Sequence, residues 1–471
     1  MEFILIETGW VSVLPPLIAI TLALITKEVY SSLFIGLFSG MLIYAAASGG
    51  TIFSAVNMTF DMMCSKIADN AYIIMFLGML WAVVTLVSKS GGSQAYGRWA
   101  EKKLKTRRSA SLATALLGLI VFIDDGFNCL TVGTVMRPIT DRLRISREKL
   151  AYIIDATAAP VCIIAPVSSW AVAVASEVSE KDGFKVFLST IPYNFYAILT
   201  IAMVIFLAIT GKDFGPMKRA EEKALGGKNA EYSASTDNEV KGHVVDLVLP
   251  IGVLIVCAIL GMAYVGDFFG GTPFSEAIGV NPVAGLTMGA FAGLVTAFLL
   301  YIPRRLMSSR QFMESIVSGI GSIVPPMLIL ILSWSLGGVC RELIGTGYFI
   351  SGFVSSSNLS LSLLPFFIFI IASIMSFSMG TSWGTFGMLI PIITMVCSTD
   401  TTGVYLVPTL GAVLAGSVYG DHCSPISDTT ILSSTGADCP HLSHVETQLP
   451  YATLVAALCA AGYLVLGLFL G

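Results

Sequence analysis

The sequence predicts an all-α membrane protein of about ten transmembrane helices plus two re-entrant hairpins, arranged as two inverted-topology repeats. Three observations carry this expectation. Hydrophobic residues fill 55% of the 471 positions and charged residues only 12%, about half the charge of a soluble domain. Apolar stretches recur at the length that crosses ~30 Å of hydrocarbon. Tryptophan and proline landmarks in the first half return, in order, in the second.

Full crossings are expected to begin near Val11, Ser31, Ala71, Leu150, Val186, Val244, Gly279, Ile323, Val404 and Tyr451. Two further apolar regions, 109–136 and 359–397, are interrupted by polar clusters and read as half-length helices meeting at a tip. Basic residues decide the threading. The clusters 98–108, 137–149, 212–241 and 304–310 belong in the cytoplasm by the positive-inside rule. Two of them flank 109–136, so this region enters and leaves on one face. The same count places the second tip, near Gly380, on the opposite side. Short amphipathic stretches around Asp61 and Glu314 are expected to lie at an interface.

Trp81 and Trp334 lie 253 positions apart, as do Pro138 and Pro391; Pro166 and Pro425 lie 259 apart, and Pro192 and Pro450 lie 258 apart. A nearly constant offset implies duplication, and the odd number of preceding elements implies inversion. The expected organisation is a first repeat at 1–211 with its hairpin at 109–136 and broken helix at 150–176. A mobile, polar cytoplasmic linker at 212–243 leads to a second repeat at 244–471, with its hairpin at 359–397 and broken helix at 404–433.

The formal charge is −4, from 26 basic and 30 acidic residues, which leaves no basic surplus for a nucleic acid. The nine cysteines, among them Cys129, Cys257, Cys340 and Cys459, lack a disulfide framework and read as small buried residues. The start of the chain has no basic n-region, so no signal peptide is expected. Walker, G-x-S-x-G and H-E-x-x-H motifs are absent from the sequence, which argues against ATP-driven transport and against an enzyme. No cofactor is expected beyond coupling ions.

Ionisable groups at membrane depth are costly and mark function. Here they are Asp124, Asp125, Asp155, Asp421, His422 and Asp428, each beside Gly, Pro or Ser/Thr where a helix breaks. The first tip, "FIDDGFNCLTVG", offers Asp124, Asp125 and Asn128 as hard oxygen ligands for Na⁺ or a proton. Adjacent carboxylates do not both ionise easily in a low-dielectric site, so the two cations compete there. Asp124 alternatively caps the following helix. The second tip, "FSMGTSWGTFG", replaces acids with Ser378, Gly380, Thr381 and Ser382, and the 253 offset sets Ser378 opposite Asp125. Its neutral donors suit a carboxylate or carbonyl.

The first broken helix carries Asp155, Ser168, Ser169 and Trp170. The second carries Asp421, His422, Ser424, Ser427, Asp428 and Thr429, with Pro425 unwinding the chain between the two acids. Na⁺ is expected at Asp125, Asn128, Asp421 and Asp428; the hydroxyls, with Trp170 and His422, are expected at an organic substrate. His422 could report pH. "CPHLSH", with Cys439, His441 and His444, reads as a loop.

The runs "DDGFNCLTVGTVMRPITDRLRISREKLAYIIDATAAPVCIIAPVSSW" and "GDHCSPISDTTILSST" resemble the NhaC-type sodium/proton antiporter family of the broader ion-transporter superfamily. The resemblance spans both repeats. It implies a secondary transporter of the bacterial cytoplasmic membrane that works by alternating access, with an elevator motion and often as a homodimer. It places sites at Asp124, Asp125 and Asn128, at Ser168 and Ser169, at 378–381 and at 421–429. The family also resembles malate/lactate exchangers and amino-acid carriers. Exchange of Na⁺ for H⁺ is therefore the first expectation, and coupled movement of a small carboxylate or amino acid the alternative.

Overall fold

The computed structural model describes residues 4–26, 28–178, 183–226, 242–349, 352, 361–398 and 403–470. Among the described residues the chain is helical and contains no strand. Helices α1 (Leu14–Thr26), α2 (Val29–Ala47), α3 (Ile52–Asp69) and α4 (Ala71–Lys89) open the fold, followed by α5 (Gly92–Lys103). Glu28 caps α2 by accepting from the amides of Tyr30 and Ser31, and Thr51 and Ser54 form a capping box at α3. These caps satisfy the orphan amides that each helix start exposes.

Residues 109–136 lie in two helices, α6 (Arg107–Ile120) and α7 (Asp125–Arg142), that meet at a short break. The Asn128 amide in the first turn of α7 donates to the carbonyls of Gly118 (2.7 Å) and Val121 (3.0 Å) in the last turn of α6. Such a bond over so short a sequence distance requires the chain to turn back on itself. The next stretch is broken into α8 (Arg147–Thr157), α9 (Ala159–Cys162) and α10 (Ser169–Val178). Helices α11 (Gly183–Thr190), α12 (Phe195–Thr210) and α13 (Gly215–Leu225) follow.

The linker expected to be mobile is partly docked. Glu221 of α13 pairs with Arg107 and accepts from the Ser146 amide (2.7 Å), and Asp213 pairs with Lys149 at 2.7 Å. These ion pairs hold α13 and the residues before it against α6 and α8. Residues 227–241 of the linker lie outside the described residues.

The second half comprises α14 (Val245–Val265), α15 (Phe274–Val280), α16 (Pro282–Tyr301) and α17 (Ser309–Gly338). After these come α18 (Leu364–Met379), α19 (Ser382–Cys397), α20 (Leu406–Cys423), α21 (Asp428–Ala437) and α22 (His441–Leu470). The start of the expected hairpin, 359–360, lies outside the described residues. The stretch around Glu314 is not a separate interfacial segment, because α17 runs unbroken from Ser309 through Pro325 and Pro326. The stretch around Asp61 forms the 18-residue helix α3, which packs against α2 and α17.

Among the described residues eight helices are long and apolar enough to cross a membrane. The difference from ten has a physical origin. The stretch from Val11 yields the 13-residue α1, that from Leu150 breaks at Ala158 just before Pro160, and that from Val404 yields the 18-residue α20, whose end carries the polar Gly420, Asp421 and His422. Conversely, Leu361–Met379, expected as half of a hairpin, is long enough by itself.

Helix α4 packs on α14, α16 and α17, and α14 packs on α16, while α7 packs on α8 and α21, and α20 packs on α18 and α19. Small residues allow the closest approaches. A Cβ on Gly133 of α7 would lie 2.5 Å from the backbone of Gly436 in α21, and one on Gly285 of α16 would lie 2.3 Å from the backbone of Met262 in α14. Contacts this close exploit backbone-to-backbone van der Waals packing, one of the drivers of helix association in a bilayer.

Candidate ion and substrate site

Asp124 is the N-cap of α7: its Oδ1 accepts from the Phe127 amide at 2.9 Å, and its Oδ2 accepts from the Ser169 hydroxyl at 3.3 Å. Asp125 begins the helix and lies against Trp170. Trp170 packs edge-on to Trp383 with centroids 5.9 Å apart, joining the first broken helix to the second hairpin.

The second tip is built the same way from neutral groups. Gly380 takes φ +67°, which suits glycine, and Thr381 caps α19 by accepting from the Gly384 amide at 3.3 Å. A Cβ on Gly380 would also come within 2.6 Å of Ile426 in the break between α20 and α21. Asp124 and Thr381 thus hold the same place in their tips. This sets Ser382, not Ser378, opposite Asp125. Ser382 donates both its amide (3.1 Å) and its hydroxyl (2.7 Å) to Asp421 Oδ2.

Each tip therefore clasps a broken helix through one serine and one aspartate, with the roles exchanged. In the first, the tip supplies Asp124 and the broken helix Ser169; in the second, the tip supplies Ser382 and the broken helix Asp421. Ser427 caps α21 through the Thr430 amide (3.4 Å), and Asp428 follows in its first turn. The break spans only residues 424–427, yet it separates the two acids: Asp421 is buried, whereas Asp428 faces open space.

That space is a cavity of about 500 Å³. Glu28, Asp124, Asp125 and Asp428 line it, with Gly380, Thr381 and Thr429, and with Trp81 and Trp383 as aromatic walls. No lysine, arginine or histidine is among its described lining residues. On the α17 side Ser322, Pro325 and Pro326 line it. Two successive prolines remove the amides that would bond the Gly321 and Ser322 carbonyls four residues earlier in α17.

Several expected site residues stand elsewhere. Asn128 does not line the cavity; besides its two bonds to α6, its amide donates to the Thr157 carbonyl at 3.0 Å, which ties the tip to the end of α8. Ser168 caps α10, accepting from the Ala171 amide and donating to the Cys162 carbonyl at 2.8 Å. Ser378 lies in the last turn of α18, and Ser424 Oγ accepts from the Ile426 amide at 3.4 Å; neither lines the cavity. Among the described residues no group of three or more His, Cys, Asp and Glu is arranged to hold a metal ion. Of the four residues expected at Na⁺, Asp125 and Asp428 line the cavity, while Asn128 and Asp421 do not.

Asp155 and His422 form a separate cluster. Asp155 Oδ2 lies 3.2 Å from His444 Nε2 and 3.7 Å from His422 Nε2, and accepts from Gln448 Nε2 at 3.1 Å. His422 Nδ1 meets the Tyr196 hydroxyl at 2.8 Å. His444, expected in a loop, is fully buried in α22. A buried carboxylate needs such partners, and this cluster ties α8, α12, α20 and α22 together.

The model of the Na⁺/H⁺ antiporter family matches residues 171–468. The chain belongs to this family. An uncharacterized protein of Haemophilus influenzae is 39% identical over 99% of this chain and 92% of its own length. The malate-2H⁺/Na⁺-lactate antiporter of Bacillus subtilis is 33% identical over 40% of this chain and 39% of its own. Among solved structures, the YdaH transporter of Alcanivorax borkumensis superposes with a TM-score of 0.56 at 13% identity, covering 89% of each chain, a likeness of fold. This member of the antiporter family is a multi-pass integral membrane protein and a secondary transporter.

In this family member the site extends beyond the residues expected from motifs. Glu28, Trp81, Ser322 and the Pro325–Pro326 pair join the cavity from α2, α4 and α17. A double proline inside an apolar run was the available signal for α17. Glu28 carried only the signal of a helix cap, a charged residue placed just before an apolar run.

Proposed function

We propose that this transporter exchanges Na⁺ for H⁺, with the acidic cavity as the shared site. The observation that carries the reading is the lining itself: four carboxylates and, among its described residues, no basic side chain. Such a lining attracts a cation, and hard oxygens suit Na⁺. Asp125 and Asp428 are its direct ligands, completed by Thr429, Thr381 and backbone oxygens. Asp124 and Asp421 hold the two broken elements in place through their serines. A proton on these acids removes the charge that Na⁺ needs, so the two cations are taken in turn.

The duplicated tips and broken helices support an inverted-repeat transporter. In an elevator motion they would move together against α2, α4 and α17, whose residues form the other wall.

The cavity volume favours a second reading. About 500 Å³ is in the range of small-molecule sites, roughly 300–1,000 Å³, and far exceeds one ion. An organic solute could ride with Na⁺, stacked on Trp81 and Trp383. A carboxylate would need bound Na⁺ or protons to offset the four acids, whereas an amine would meet them directly.

Equilibrium Na⁺ binding to purified protein at constant ionic strength tests the shared site. Competition for one proton raises the apparent Kd about tenfold for each pH unit lowered in the acidic limb. A Kd that stays flat across that limb would show that protons and Na⁺ do not share these oxygens.

A further inference from the structure

Glu177 is the penultimate residue of α10, about 12 Å along the helix from Ser169. It is 1% exposed, and neither carboxylate oxygen has a hydrogen-bond partner among the described residues. The groups around it are already engaged. The neighbouring Ser333 hydroxyl of α17 donates to the Gly387 carbonyl of α19 at 2.5 Å, and the adjacent Ser176 accepts from Trp334 Nε1 of α17 at 3.1 Å. An ionised carboxylate without a partner in such a place is strongly disfavoured.

The charged groups nearby do not remedy this. Among the described residues, Arg341, just beyond α17, is the cation whose field reaches Glu177, and no ion pair forms between them. Helix α19 carries no charged residue; Lys185 of α11 is exposed, and Lys89 ends the opposite end of α4. Asp69, at the end of α3, pairs with Lys66 at 3.7 Å. A second cavity of about 240 Å³, lined by Asp69, Asn70, Ser176 and Asn281, opens beside the preceding residue of α10 and offers water a path.

We infer that Glu177 is a second proton-binding site of the transporter, separate from the acidic cavity. It holds a proton while α10 packs on α17 and α19, and releases it to water in the 240 Å³ cavity when that contact opens. No other bond is made or broken. The coupling of this proton to transport rests on the exchange reading above; the protonation itself does not.

Glu177→Gln, which mimics the protonated acid, separates the two. In infrared difference spectra between acidic and alkaline pH, the wild type should show a protonated-carboxyl C=O band that is missing from E177Q. An unchanged band in E177Q overturns the assignment. In liposomes, E177Q should lose at least about tenfold in Na⁺-driven proton movement while ²²Na⁺ self-exchange stays within about twofold. Equal losses in both fluxes would make Glu177 a packing residue, as would no loss in either. If the wild type itself exchanges no Na⁺, the exchange reading fails, and the infrared band still decides the protonation.

Discussion

Replacing Asp428 by asparagine is expected to abolish coupled transport and to lower Na⁺ affinity by up to about a thousandfold, the equivalent of about 4 kcal/mol for unit charges ~4 Å apart at an effective dielectric of 20. Asp428 is the acid of the second broken helix that faces the cavity. Its Oδ1 accepts from the Thr429 amide at 2.9 Å, a bond that the asparagine carbonyl can also make. The fold should therefore survive, and the loss should be one of charge. Isothermal titration of Na⁺ and thermal melting in its presence check both halves. Asp421→Asn is a different change, because Asp421 Oδ2 already accepts two bonds from Ser382; it loosens the clasp between tip and broken helix. Near-normal Na⁺ affinity in Asp428→Asn would remove the central ligand of the proposed site.

The largest structural effect is expected from Gly133→Val. Its Cβ would lie 2.5 Å from the Gly436 backbone, and the reciprocal Cβ on Gly436 would meet the Cys129 carbonyl at 2.7 Å. Backbone cannot step aside as a flexible side chain does, so the cost is about 3 kcal/mol or more. The damage would spread to function, because α7 carries Asp125 and α21 carries Asp428. Thermal melting and Na⁺ binding should both fall. The same substitution at Gly252 of α14, where nothing lies within 4 Å of the added Cβ, is the control and should melt like the wild type.

The sequence was most legible where polar residues interrupt apolar runs. Asp124–Asp125–Gly126, Gly380–Thr381 and Ser424–Pro425 each mark a break, because a freed backbone group at membrane depth needs a cap or a ligand and the sequence must supply it. What periodicity could not show is which side of a break each group faces. Asp421 and Asp428 are seven residues apart, yet one turns into a serine clasp and the other into the cavity. The register of the two tips was likewise hidden. Tryptophans and prolines fix an offset of 253 along the flanking helices, but the caps pair Asp124 with Thr381.

Long-range partners were the least legible. Nothing local to Asp155 announces His444 and Gln448, which lie 289 and 293 positions away. Glu177 sits in "SEVSEKDG", where one acid among three reads as part of the polar end of a helix, and only the packing of α17 over it exposes its isolation. Pro325 and Pro326 sit in the interior of an apolar run that stays helical, so their contribution emerges only where α17 meets the tips.

The most direct test of the proposed exchange uses purified protein in liposomes with a trapped pH dye and an imposed Na⁺ gradient, with no organic solute present. Na⁺ moving down its gradient should drive protons the opposite way, and Asp428→Asn should silence the signal. Silence of the wild type on Na⁺ alone, broken only when a carboxylate or an amine is added, would contradict Na⁺/H⁺ exchange and identify a coupled solute carrier instead.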